Sequence, residues 1–189
     1  MDRDEALAWA AEHGVVATGD VVPRIRPWSS CWLIPTADGD VWLKAGAPGT
    51  AYEAGLVKAL VEAGTPHLLR PLALDVERGW LLLPDGGQTL RSLLDRDPDV
   101  SHWERVLPKY AELQRHTEQR ILPGAPDHRA ERMPELFARL LADLPVGPRS
   151  ELEALQPRLA QWCDELATSG IPATVQHDDL HDNSVFSNG

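Results

Sequence analysis

Apolar residues follow two rhythms along this chain, and the rhythm changes after Gly87. In the first half, Val21–Arg26, Cys31–Pro35 and Asp40–Lys44 are short runs rich in Val, Ile, Trp and Leu. They are parted by the turn-forming groups Pro-Trp-Ser-Ser and Ala-Asp-Gly-Asp, which predicts an antiparallel meander. Two segments have helical spacing instead. Glu5–His13 is stopped by Gly14, and Thr50–Ala63 carries Leu56, Val57, Leu60 and Val61 before Gly64-Thr-Pro66. Arg70–Val76 and Trp80–Leu83 return to strand character around the turn Glu77-Arg78-Gly79. From Thr89 onward the spacing predicts helices over 89–95, 101–120, 131–144 and 150–168.

The tail returns to strand at Ala173–Gln176 and Ser184–Ser187, and ends on Asn188-Gly189, a strong hairpin-turn signal. The pattern therefore predicts an α+β chain with a strand-rich lobe over 1–84, a linker at 85–88 and a partial helical lobe over 89–189 that holds a loop at 176–187. A hairpin turn with no second strand implies a fragment that stops inside a domain, leaving Val185 or Phe186 without a cross-strand partner.

Composition narrows the class. Of 189 residues, 18 are Lys or Arg and 29 are Asp or Glu, a net charge of −11, which argues against a nucleic-acid partner. No run approaches the ~18 apolar residues of a membrane span, and the start Met1-Asp-Arg-Asp-Glu5 is not a signal peptide, so a cytoplasmic protein away from membranes is expected. The two cysteines, Cys31 and Cys163, are too few for a disulfide scaffold. Only three basic residues are lysines, namely Lys44, Lys58 and Lys109, so each position of a lysine is informative.

Lys44 ends a strand on the same side as Trp42, where its ammonium can enter a cleft. An edge-strand lysine that discourages aggregation is the plainer alternative. Glu53 shares a helix face with Leu56, Val57 and Leu60, the stripe that packs on the sheet, and a carboxylate there wants a cationic partner. Thr50-Ala-Tyr-Glu53 also fits a capping box. The densest polar cluster is Gln176-His-Asp-Asp-Leu-His-Asp-Asn183, between two apolar runs. It can be read as a solvated acidic turn, as a metal site on His177, Asp179 and His181, or as a loop whose Asp179 is a catalytic carboxylate.

Taken in order, a strand lysine, a helix glutamate, a linker after an apolar strand, a helical region and His-x-Asp-Leu resemble the aminoglycoside phosphotransferase family, a branch of the protein-kinase-like fold. Trp28-Ser29-Ser30 and His177-Asp-Asp-Leu-His181 are the closest matches. The resemblance implies an ATP-dependent transfer of a phosphoryl group to a hydroxyl of a small molecule, which the net charge suggests is cationic. It implies that Lys44 meets the α and β phosphates, that Glu53 orients it, and that Trp28, Ser29 and Ser30 replace a glycine-rich flap. Leu83 to Gly87, including Asp85, would face adenine, and Asp179 would position the acceptor hydroxyl. The family's Mg²⁺-binding Asn falls at Ser184 here, with Asn183 one position early, and its second metal-binding Asp would lie past Gly189. An inactive fragment is thus expected. The rivals are a metal-dependent hydrolase recruiting His116 or His128 as a fourth ligand, and a nucleotide-binding pseudokinase.

Overall fold

Alternating side chains in three strands build the sheet that organises the first half of the molecule. The computed structural model describes residues 3–120 and 122–187, so the expected Asn188-Gly189 turn lies outside the described residues. Strands β1 (Val22–Arg26), β2 (Ser29–Thr36) and β3 (Gly39–Gly46) form the meander, and β4 (Ala73–Asp75) and β5 (Trp80–Pro84) extend it into a five-stranded antiparallel sheet ordered β1-β2-β3-β5-β4. Register places Trp32 opposite Leu43 and Leu43 opposite Leu82, with Cys31 opposite Lys44 in the next row.

Successive residues of a strand point to opposite faces. One face therefore collects Trp32, Ile34, Val41, Leu43, Ala45, Trp80 and Leu82, all buried. Helix α1 (Arg3–Glu12) covers it with Ala6, Trp9 and Ala10, and Trp9 meets Trp80 edge to face at 5.6 Å. Each large apolar side chain removed from water here contributes roughly 1.5–3 kcal/mol. Helix α2 (Tyr52–Glu62) runs between β3 and β4, buries Ala54 and Leu60 and packs beside β4.

Beyond the sheet come β6 (Gln88–Thr89), α3 (Leu90–Leu94) and α4 (Ser101–His116). The Thr89 hydroxyl caps α3 by accepting the Ser92 N–H at 3.2 Å. These elements, the sheet and the described residues from Val175 onward form one compact unit, while 126–174 forms a second. In that second unit α5 (Met133–Ala142) packs against α6 (Val146–Glu153) and α7 (Gln156–Ala167), burying Leu141 and Cys163.

The pattern and the structure part company in several places. The run expected at 70–76 narrows to β4. The helix expected over 150–168 divides at Ala154-Leu155, because Pro157 sits in the first turn of α7, where a missing N–H costs nothing. No strand forms at 173–176. Its backbone donors are taken by α4 instead: the Thr117 hydroxyl accepts the Val175 N–H at 3.2 Å, and the Tyr110 hydroxyl accepts the His177 N–H at 2.9 Å. Finally, the tail does have a partner. Strand β7 (Phe186–Ser187) pairs antiparallel with β6, placing Thr89 opposite Phe186. Among the described residues no helix is long and apolar enough to cross a membrane.

Candidate functional site

Lys44 projects from the sheet face opposite α1. Its ammonium donates to Glu53 Oε1 at 2.7 Å and lies 2.6 Å from Oε2, so both carboxylate oxygens hold it. The two side chains are about one-third exposed, at 29% and 34%. A pair this open contributes at most ~1 kcal/mol to stability, so its main effect is to fix the direction of the ammonium. The capping box does not form. Ala51 is the N-cap of α2 without a side-chain bond, and the Thr50 hydroxyl turns away to the Trp28 carbonyl at 2.5 Å.

That bond ties the tip of the β1–β2 hairpin to the loop before α2, and the Ala47 N–H adds a second at 3.0 Å to the same Trp28 carbonyl. The Trp28 side chain remains exposed. Ser29 and Ser30 lie within β2, not in a flexible turn, and alternation sends them to opposite faces. Ser29 is buried on the Lys44 side, where its oxygen accepts the Cys31 thiol at 3.9 Å. Ser30 belongs to the α1 side, opposite Ala45. The two hydroxyls do not converge.

On the Lys44 side, Trp42 stands opposite Leu83, and its indole N–H donates to Asp85 Oδ1 at 3.0 Å. Asp85 is further fixed by its own N–H to the Asp40 carbonyl at 3.0 Å. Gly86 lies directly against the Phe186 ring, and a Cβ at Gly86 would fall 2.5 Å from Phe186 Cγ, so no other residue fits without displacement. The linker thus has an aromatic side chain at each end, Trp42 and Phe186.

The loop 176–187 is organised by its own polar groups. Asp178 takes a positive φ of 61°, a conformation that Asp tolerates better than most residues. Ser184 is the staple: its hydroxyl accepts the His181 N–H at 3.0 Å and reaches the carbonyls of His181 and Asp179 at 2.8 and 3.2 Å. His181 Nδ1 accepts the Asn183 N–H at 3.0 Å, which leaves the ring proton of the neutral imidazole on Nε2, 3.5 Å from Asp179 Oδ2. The Asp179 side chain is itself 87% exposed. Asp182 is buried and clamps the loop to α3. Its Oδ2 pairs with Arg91 at 2.9 Å, and its carbonyl accepts the Arg91 N–H at 2.9 Å.

The structure therefore joins Lys44 to Glu53, Leu83 and Asp85 to Trp42, and Asp179 to His181 and Ser184, with Asn183 bonded to His181. It does not assemble the alternative metal site. Among the described residues no three His, Cys, Asp or Glu side chains are gathered as ligands. His177 is held by its backbone at Tyr110, and His116 Nε2 meets the Ala63 carbonyl at 2.8 Å. For a hard cation such as Mg²⁺ the exposed oxygen donors of the loop include the Asp178 and Asp179 carboxylates and the Asn183 side chain, while Ser184 is engaged with the loop. Trp42 and the Arg91–Asp182 clamp were not singled out by sequence reasoning. Trp42 had a signal, its place two residues before Lys44 on the same face, whereas the clamp joins residues 91 positions apart and had none. In comparisons with known proteins, no family model matches this chain and no curated protein matches its sequence.

Proposed function

We propose that this chain is a kinase-like phosphotransferase that moves the γ-phosphoryl of ATP to a hydroxyl of a small molecule. The observation that carries this reading is the grip of both Glu53 oxygens on the Lys44 ammonium, on the sheet face that α1 leaves uncovered. An ammonium held in a fixed direction by a helix carboxylate suits the α and β phosphates of a nucleotide. The order of parts adds support: strand lysine, helix glutamate, a linker with aromatic neighbours, then an exposed carboxylate on a loop stapled from within.

In this scheme the backbone of 83–87 receives the base. Asp179 accepts a hydrogen bond from the acceptor hydroxyl and aligns it for in-line attack. His181, with its proton on Nε2, steadies that carboxylate, and the Arg91–Asp182 clamp holds the loop to α3. Asn183 is the residue that would hold Mg²⁺, which supplies neutralisation of phosphate charge when bound. A second reading, nucleotide binding without transfer, is favoured by Ser184, whose hydroxyl serves the loop in place of a cation ligand.

Calorimetry with ATP and Mg²⁺ tests the proposal. Lys44→Ala is expected to weaken ATP about tenfold or more, ~1.4 kcal/mol or above, while Asp179→Asn binds ATP normally and transfers nothing. Equal affinity in wild type and Lys44→Ala would remove the phosphotransferase reading. ATP binding without any phosphoryl transfer to hydroxylated acceptors would leave the non-catalytic one.

A further inference from the structure

The Lys44 face of the sheet carries two more cations. Within β1, Arg24 and Arg26 alternate with Pro23 and Ile25, and register places them in the rows of that face. Arg24 is opposite Cys31, which is opposite Lys44; Arg26 is opposite Ser29. Arg24 lies two strand spacings from Lys44, about 10 Å between backbones. Its guanidinium sits 5.2 Å from the centre of the Trp42 ring, which confirms the face independently of alternation.

Neither arginine is tied to a carboxylate; others such as Arg96 and Arg149 are not either, and what distinguishes this pair is its place on the Lys44 face. The chain has 29 acidic residues, and Arg78, Arg91, Arg129, Arg132 and Arg139 each pair with one. Among the described residues neither Arg24 nor Arg26 forms an ion pair, and the hydrogen bond of Arg26 runs to its neighbour's carbonyl, Ile25, at 3.5 Å. Both residues are exposed on an edge strand. Charges that only protect an edge could stand on either side of it. Here both stand on the side of Lys44, while exposed Ile25 takes the other. Charge balance points the same way. Glu53 neutralises Lys44, so the positive charge that this face offers to an incoming ligand comes from the two guanidiniums, whose planar donors match phosphate oxygens.

We propose that Arg24 and Arg26 form an anion clamp that binds phosphate oxygens next to Lys44, the ligand being the triphosphate of a nucleotide. The nucleotide rests on the phosphotransferase reading, but the clamp itself requires only a phosphorylated ligand. Binding is measured by calorimetry on the 189-residue protein with three probes: inorganic tripolyphosphate, ATP and a hexose phosphate. The variants are Arg24→Gln with Arg26→Gln, Arg24→Lys with Arg26→Lys, and Arg139→Gln, whose arginine pairs with Glu135, as a control.

The Gln pair is expected to weaken tripolyphosphate at least tenfold, to flatten the salt dependence of binding and to leave the melting temperature unchanged. The Lys pair should recover part of the affinity, and the Arg139 variant should behave as wild type. An equal loss for ATP assigns the clamp to the nucleotide. Loss for tripolyphosphate and hexose phosphate in a protein that never binds ATP keeps the clamp and overturns the phosphotransferase reading. Tripolyphosphate binding that is absent in wild type, or unchanged in the Gln pair, overturns the clamp and leaves Lys44 to be judged on its own variant.

Discussion

The two faces of one sheet, made by alternate residues of the same strands, have opposite characters. On the α1 side, Trp32, Ile34, Val41, Leu43, Ala45, Trp80 and Leu82 are sealed under Ala6, Trp9 and Ala10. On the other side Leu81 is buried beside Lys44, but Arg24, Trp42 and Lys44 keep contact with solvent: Arg24 lies over the Trp42 ring, Trp42 bonds Asp85 and Lys44 bonds Glu53. The difference shows how alternation along one set of strands seals one face and leaves charged groups on the other. Apolar burial on one face fixes the backbone, and the fixed backbone then presents charged groups on the other at defined spacing.

The largest expected effect tests the sealed face. Trp9→Ala should cost about 3–5 kcal/mol, because it empties the centre of the α1 interface, whereas Leu33→Ala on the open face removes a half-buried side chain and should cost less. Urea denaturation of both variants measures this. Similar losses would mean that the two faces contribute alike and that the contrast is false.

The next effect is smaller in stability and larger in binding. Lys44→Ala and Glu53→Gln should each change the unfolding free energy by no more than ~1 kcal/mol, since the pair is partly open to solvent. Nucleotide-induced stabilisation should fall in both. A loss of several kcal/mol in either variant would place the pair among the core interactions and weaken its assignment to ligand binding.

Legibility in the sequence follows the same division. The sealed face is readable because alternation in Cys31–Pro35 and Asp40–Lys44 encodes it, and the pairing of Lys44 with Glu53 follows from the helix face of Glu53. The open face was read only in part. Arg24 and Arg26 alternate as plainly as the core residues do, but a charge carries no sign of its partner. The pairing of β6 with β7 joins residues nearly a hundred positions apart by two short strands, and Asp182 meets Arg91 across a similar gap. Such contacts leave no local period to detect. Pro-Trp-Ser-Ser predicts a turn through Ser30, but the strand begins immediately after Pro27 and Trp28.

The smallest prediction concerns a charged pair at the rim of the sealed face. Asp75, opposite Trp80 in β4, loses some hydration there, which pushes its pKa up. The Arg78 N–H at 2.9 Å, the Arg78 guanidinium at 2.7 Å and the positive charge together outweigh this and hold the carboxyl below its usual range. The same guanidinium lies 3.9 Å from the Trp80 ring centre and 5.9 Å from that of Trp9, so the charge is anchored to the apolar seal. A lowered folded-state pKa means stabilisation that is complete above the ordinary carboxylate range and is lost as pH falls through the folded value. Wild type should therefore melt slightly above Asp75→Asn at neutral pH, by well under ~1 kcal/mol after solvent screening. The gap should narrow as the pH falls below the ordinary Asp range and close only below the lowered folded-state value, where both side chains are neutral. Melting curves across that range decide the matter: a gap that persists unchanged in acid would show that Asp75 acts through shape and not through charge.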